Sequence, residues 1–144
     1  MRLNQASDFA LRILMRLGQV DEPQTIDTLS RTLGLAKSHV MKLVARLAQA
    51  GLVETTRGRG GGVRLLRPPS EIRAGAVVRL MEQDLAVVAC LREGPCACSF
   101  LPLCALKGAM AEAAEAFLDS LDRWTLEDLL KGTQPARSLE RLAP

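Results

Sequence analysis

The chain has 144 residues, is 48% hydrophobic and 24% charged, and carries a formal net charge of +3. That composition excludes a disordered chain and fits one ordinary domain, or one small domain with an appendage. With no Tyr, three Phe and one Trp, the core must be aliphatic, and readers of single-stranded nucleic acid that stack bases on aromatic platforms are disfavoured. The single His, His39, argues against His-based zinc hydrolases and most general-base chemistry. No apolar run is long enough to span a membrane. The N-terminus lacks the apolar core of a secretory signal, so the cytoplasm is the expected compartment.

In chain order, Ala10, Ile13, Leu14, Leu17 and Val20 repeat at helical spacing and predict an amphipathic helix over 8–20. Thr25 is a candidate N-cap for a short helix ending at Leu33, with Ile26, Leu29 and Leu33 inward. Gly34 allows a sharp turn. A second helix is expected from Ala36 to Ala50, with Val40, Leu43, Val44 and Leu47 on its core face and Gly51 in the left-handed position beyond it. Leu52–Thr55 and Val63–Leu66 read as strands around the glycine-rich tip 58–62. Ser70 is a candidate N-cap for a helix whose face carries Ile72, Ala76, Val77 and Leu80. After a segment broken by Gly94, Pro95 and Pro102, a long helix is expected over Ala105–Leu121. Thr125 should cap a last turn, Leu126–Leu130, and the tail 132–144 reads as mobile.

Charge is unevenly placed. Residues 31–73 carry nine Lys/Arg against two Asp/Glu, whereas the segments on either side are net acidic. Two helices joined by a short glycine turn, followed by a glycine-tipped hairpin within this basic block, predict a winged helix–turn–helix that binds double-stranded DNA. A helix fits the major groove, and its polar face reaches base edges. Lys37, Ser38, His39, Lys42 and Arg46 lie at or near the face opposite the apolar stripe. Arg57 and Arg59 sit at the wing tip, where glycines let the backbone approach a phosphate or enter the minor groove. His39 reads equally well as a base contact or as a helix-surface or capping residue.

All four cysteines fall in one stretch: Cys90, Cys96, Cys98 and Cys104. In a reducing compartment such a cluster points to metal or redox chemistry rather than a disulfide framework. The paired knuckles of structural zinc are absent, so a thiolate-held iron–sulfur cluster is preferred, with zinc and a thiol redox switch as alternatives.

The sequence resembles the small winged-helix iron–sulfur repressors, the family of the nitric-oxide sensor NsrR, the iron regulator RirA and the cluster-assembly regulator IscR. The resemblance covers roughly residues 1–131. It is carried by Met1-Arg2-Leu3 and Asp8-Phe9-Ala10-Leu11-Arg12, by Ser38-His39-Val40-Met41-Lys42, and by Gly51-Leu52-Val53 with Arg57-Gly58-Arg59-Gly60-Gly61. Cys98-x5-Cys104, Leu106-Lys107-Gly108 and Trp124-Thr125-Leu126-Glu127-Asp128-Leu129 complete it.

The resemblance implies a mainly α fold with a small β-hairpin wing. It implies a DNA-binding part at 1–70, a linking helix and cluster loop at 71–104, and a dimerisation helix with a C-terminal turn at 105–131. A homodimer would form with Leu106, Met110, Ala113 and Phe117 in the seam. Cys90, Cys98 and Cys104 would hold a 4Fe–4S cluster, with Cys96 the alternative middle ligand and Asp8 of the partner subunit the fourth. Members that hold a 2Fe–2S cluster use a His three residues after the last Cys. Here that position is Lys107, which favours 4Fe–4S. The implied function is a repressor, not an enzyme, that releases operator DNA on sensing nitric oxide. Sensing of iron or cluster status, and a cluster-free thiol switch, are the alternatives. Apart from the family, Asp8 reads as a helix-N-terminal charge favourable to the macrodipole.

Overall fold

The computed structural model describes residues 3–58, 60–82 and 84–132. Residues 133–144 of the expected tail 132–144 and the wing-tip residue Arg59 lie outside the described residues.

The first helix, α1 (Gln5–Gly18), starts three residues earlier than its apolar repeat suggests, because Asn4 caps it through a side-chain bond to the Ser7 amide. Its buried stripe is Ser7, Ala10, Ile13, Leu14 and Leu17. Helix α2 (Ile26–Leu33) is capped by Thr25, whose hydroxyl accepts from the Thr28 amide. It stops at Gly34, where φ is +66°, a conformation that costs any residue with a Cβ about 1–2 kcal/mol. Helix α3 (Lys37–Gln49) buries Val40, Leu43, Val44 and Leu47, the predicted stripe. Ala36 precedes it without a side-chain cap.

Strands β1 (Val53–Thr56) and β2 (Gly62–Leu65) form an antiparallel hairpin with Val53 opposite Leu65 and Thr56 opposite Gly62. The base of this hairpin is tied down by a further backbone pairing. Gln24 and Val63 exchange two hydrogen bonds, at 2.9 and 2.8 Å. A Cβ on Gly62 would lie 2.9 Å from the Gln24 carbonyl oxygen, so the close approach needs glycine there.

The expected Ser70 cap is corrected. A short 3-10 turn covers Pro69–Glu71, and helix α4 (Ala74–Met81) begins after Arg73. Ile72 is extended, and its carbonyl accepts from the Leu126 amide at 2.8 Å, while the Ala74 amide donates to Trp124 at 2.9 Å. This pairing with the far end of the chain delays the helix, and Ala76 ends up exposed. A one-turn 3-10 helix, Ala89–Leu91, lies within the cysteine stretch. Helix α5 (Ala105–Asp122) runs 18 residues and α6 (Leu126–Lys131) six.

One apolar cluster joins these parts. Ile13, Leu14 and Leu17 of α1 meet Leu29, Leu43 and Leu47 of the helix–turn–helix, Val53 and Val63 of the hairpin, Val77 and Met81 of α4, and Leu126 of α6. The segments 1–70 and 71–131 therefore share a core. Helix α5 stands apart from it: Leu118 is its single buried residue. No described helix is long and apolar enough to cross a membrane.

Candidate DNA-binding surface and cysteine segment

The predicted DNA-facing residues separate into two groups. Lys37, Ser38 and Lys42 are exposed on α3, and Arg57 is exposed where β1 leaves for the wing tip. These side chains are available to phosphates or base edges. Lys37 also pairs with Asp27 of α2 at 2.5 Å, with both side chains more than half exposed. Such a pair contributes at most about 1 kcal/mol and exchanges easily for a phosphate.

His39 and Arg46 turn inward. The half-buried His39 ring meets Phe9 of α1 edge-on, with centroids 5.5 Å apart and planes at 85°. The guanidinium of Arg12 lies 5.9 Å above the same Phe9 ring. Arg46 has partners within the protein. Its Nη2 donates to the Leu80 carbonyl at 2.5 Å and its Nη1 to the Met81 carbonyl at 3.4 Å. These are carbonyls at the C-terminus of α4, where helical partners run out and a cation is favoured.

The four cysteines are all free and half-buried. Cys90 lies in the 3-10 turn. Cys98 donates its amide to the Cys96 carbonyl at 3.1 Å and accepts from Leu101 at 3.2 Å, so Cys96 and Cys98 share one tight turn. Cys104 is the N-cap position of α5, without a side-chain capping bond. Among the described residues, no three His, Cys, Asp or Glu side chains are arranged as a ready metal site. The donor set nonetheless has the chemistry of a thiolate-bound iron centre: soft sulfur ligands, none of them tied up in a disulfide. Asp8 is held by Arg12 at 2.9 Å, with side chains 47% and 58% exposed. An exposed i,i+4 pair of this kind contributes about 0.3–0.5 kcal/mol, a small barrier to any other use of the carboxylate.

The expected seam on α5 divides by exposure. Leu106 and Ala113 are exposed, and Met110 and Phe117 are half-buried. Phe100 and Leu103, just before the helix, are 75% and 95% exposed. On its opposite side α5 meets α4 closely. A Cβ on Gly75 would fall 3.0 Å from the Leu118 carbonyl oxygen, while Arg79 pairs with Asp122 at 2.7 Å and Arg73 donates to the Asp122 carbonyl at 3.0 Å.

Sequence reasoning missed the polar knot at the start of α1. Asn4 and the fully buried Ser7 both bond Glu82, at 2.6–2.9 Å. Asn4 ahead of an apolar repeat is a readable capping signal. Its partner 78 positions away leaves no local trace.

Comparison with known proteins agrees with this architecture. The family model Rrf2, described as "Iron-dependent Transcriptional regulator", matches residues 3–132. The chain is 41% identical over 141 residues to the HTH-type transcriptional regulator NsrR of Geobacillus kaustophilus, covering 96% of each chain. It is 39% identical over 144 residues to the protein of that name from Bacillus subtilis, covering 99% of each. Among solved structures it superimposes on CymR, the global cysteine regulator of B. subtilis, with a TM-score of 0.75 at 26% identity, covering 93% of this chain and 99% of that one. The fold is also that of T. potens IscR, with a TM-score of 0.76 at 23% identity, covering all of this chain and 93% of the other.

Proposed function

The chain belongs to the Rrf2 family of transcriptional regulators, and from that premise we propose that it is a cytoplasmic, homodimeric repressor whose cysteine segment senses nitric oxide and controls its grip on operator DNA. Family membership and its NsrR-named relatives make it a DNA-binding regulator and not an enzyme. The observation that carries the finer reading is the position of four free thiols between α4 and the long helix α5. A change in that segment acts on both the helix–turn–helix core and the dimer seam.

In this reading Cys90, Cys98 and Cys104 would hold a 4Fe–4S cluster, with Cys96 as the alternative to Cys98, and Asp8 of the partner subunit would complete the site. The cluster, when bound, supplies an iron whose carboxylate ligand is the hard, exchangeable one, open to nitric oxide. This chain's residues do the rest. Lys37, Ser38 and Lys42 meet the major groove, and Arg57 with Arg59 meet the backbone beside it. Leu106, Met110, Ala113 and Phe117 of α5 fix the distance between two recognition helices. A symmetric dimer reads two half-sites about 34–36 Å apart, so a small change in helix separation is enough to lose the match.

The test is anaerobic visible absorption of protein reconstituted with iron and sulfide, before and during titration with nitric oxide. A brown cluster spectrum that converts at low nitric-oxide stoichiometry is expected. A stable cluster indifferent to nitric oxide would move the reading to iron or cluster-status sensing. A protein that stays colourless after reconstitution would leave a cluster-free thiol switch.

A further inference from the structure

Three elements meet at the last turn of α4. From α3, Arg46 donates to the carbonyls of Leu80 and Met81. From the start of α1, the Asn4 side-chain amide donates to the Met81 carbonyl at 3.2 Å and to Glu82 Oε2 at 2.8 Å, and the Asn4 backbone amide donates to Glu82 Oε1 at 2.9 Å. The Ser7 hydroxyl donates to the same Oε1 at 2.6 Å. Glu82 is thus a carboxylate seated at a helix N-terminus, and Arg46 a cation seated at a helix C-terminus, both favoured by the exposed backbone groups there. Bonds with one charged partner are about twice as strong as neutral ones.

The cysteine segment begins directly beyond this turn. Asp84 accepts from the Ala86 amide at 2.8 Å and pairs with Arg92 at 2.5 Å, two residues after Cys90. Both bonds lie within the loop, whose residue Asp84 stands two positions from Glu82 in the chain, a span of at most about 7 Å.

We propose that the last turn of α4, Leu80–Glu82, is the joint through which the cysteine segment sets the position of the recognition helix, with Arg46 the positioning residue on α3 and Glu82 the one that fixes the joint to α1. This rests on reading residues 84–104 as the sensing segment, but not on the presence of a cluster. Arg46 on this account works through helix placement and not through a phosphate.

The experiment uses the full-length protein and a duplex of about 30 base pairs, long enough for two half-sites, enriched by the wild-type protein from a random pool. The loop is perturbed by alkylating its cysteines with iodoacetamide, which needs no metal. Duplex affinity in a salt series, and amide hydrogen exchange over Lys37–Gln49, are read before and after. In the wild type, alkylation should change affinity by about fivefold or more, the lower edge of ordinary allosteric coupling, and should alter exchange in α3. In Arg46→Met the change in affinity should fall below about twofold and the α3 response should vanish, with the salt slope unaltered. Two results would overturn the proposal: an Arg46→Met protein that keeps the wild-type response, or one that loses affinity equally in both states with a salt slope lower by about one, the signature of a lost phosphate contact. A wild-type α3 and duplex affinity blind to alkylation would overturn it as well, whatever the cluster does. Should Arg46→Met melt without cooperativity, Glu82→Gln carries the same test, with the same expected loss of response and the same refutation if the response persists.

Discussion

Replacing Gly75 by Ala puts helix propensity and packing in direct opposition. Propensity alone favours Ala inside a helix by about 1 kcal/mol. Packing opposes it, because the new Cβ would collide with Asp122 Oδ1 and lie 3.0 Å from the Leu118 carbonyl oxygen. The Asp122 carboxylate can swing away, but then it leaves Arg79, its partner at 2.7 Å, at a cost of up to about 1 kcal/mol for a half-exposed pair. The Leu118 carbonyl is backbone and yields only if α5 moves off α4, a strain of about 1–3 kcal/mol. The balance is a net destabilisation of about 1–2 kcal/mol. At this chain length about 4 °C of melting temperature corresponds to 1 kcal/mol, so Gly75→Ala should melt about 4–8 °C lower in a calorimetric scan at fixed protein concentration. The double variant Gly75→Ala with Asp122→Ala should be more stable than the sum of the two single effects, because Asp122 is the nearer obstacle. A Gly75→Ala protein that melts higher than wild type would show that α4 and α5 are not in close contact.

Thr125 and Asp128 form a reciprocal cap on α6, so Thr125→Ala should cost about 1 kcal/mol by urea denaturation at neutral pH. The Thr125 hydroxyl, then its amide and Lys131, hold the Asp128 carboxyl below its ordinary value of 3.8. A carboxyl depressed in the folded state stabilises above its unfolded value and stops doing so as pH falls through the folded one. The gap between wild type and Thr125→Ala should therefore narrow in acid below about pH 4, and a gap constant across that range would remove Asp128 from the cap. On operator DNA, Lys42→Ala should lower the slope of log affinity against log salt by about one, as measured by fluorescence anisotropy; an unchanged slope would place Lys42 away from the phosphates. In reconstituted protein, Cys98→Ser should abolish cluster absorbance while Cys96→Ser retains it, and the opposite pattern would make Cys96 the middle ligand.

The helix–turn–helix was legible because its elements are local. The apolar stripe of α3, the Thr25 cap and the left-handed glycines at 34 and 51 all act within a few residues. The start of α4 was not, because Ile72 and Ala74 are held by Leu126 and Trp124 from the far end of the chain. Arg46 was legible as a basic residue on a recognition helix, yet its partners are backbone carbonyls more than thirty positions away, and a backbone carbonyl has no letter in the sequence. His39 was open between two readings, and the structure sets its ring against Phe9. The cysteine segment is the reverse case. Its residue types suggest thiolate chemistry, while Gly94, Pro95 and Pro102 break any periodicity from which its turns could be read.

We propose that nitric oxide, acting at the cysteine segment, releases the repressor from DNA. This is tested most directly by anaerobic anisotropy of the iron- and sulfide-reconstituted dimer on its selected duplex, with nitric oxide added stepwise. Affinity should fall at least about tenfold, within the usual range of allosteric coupling, in step with the change in cluster absorbance. A duplex that stays bound while the cluster absorbance is fully converted would contradict it.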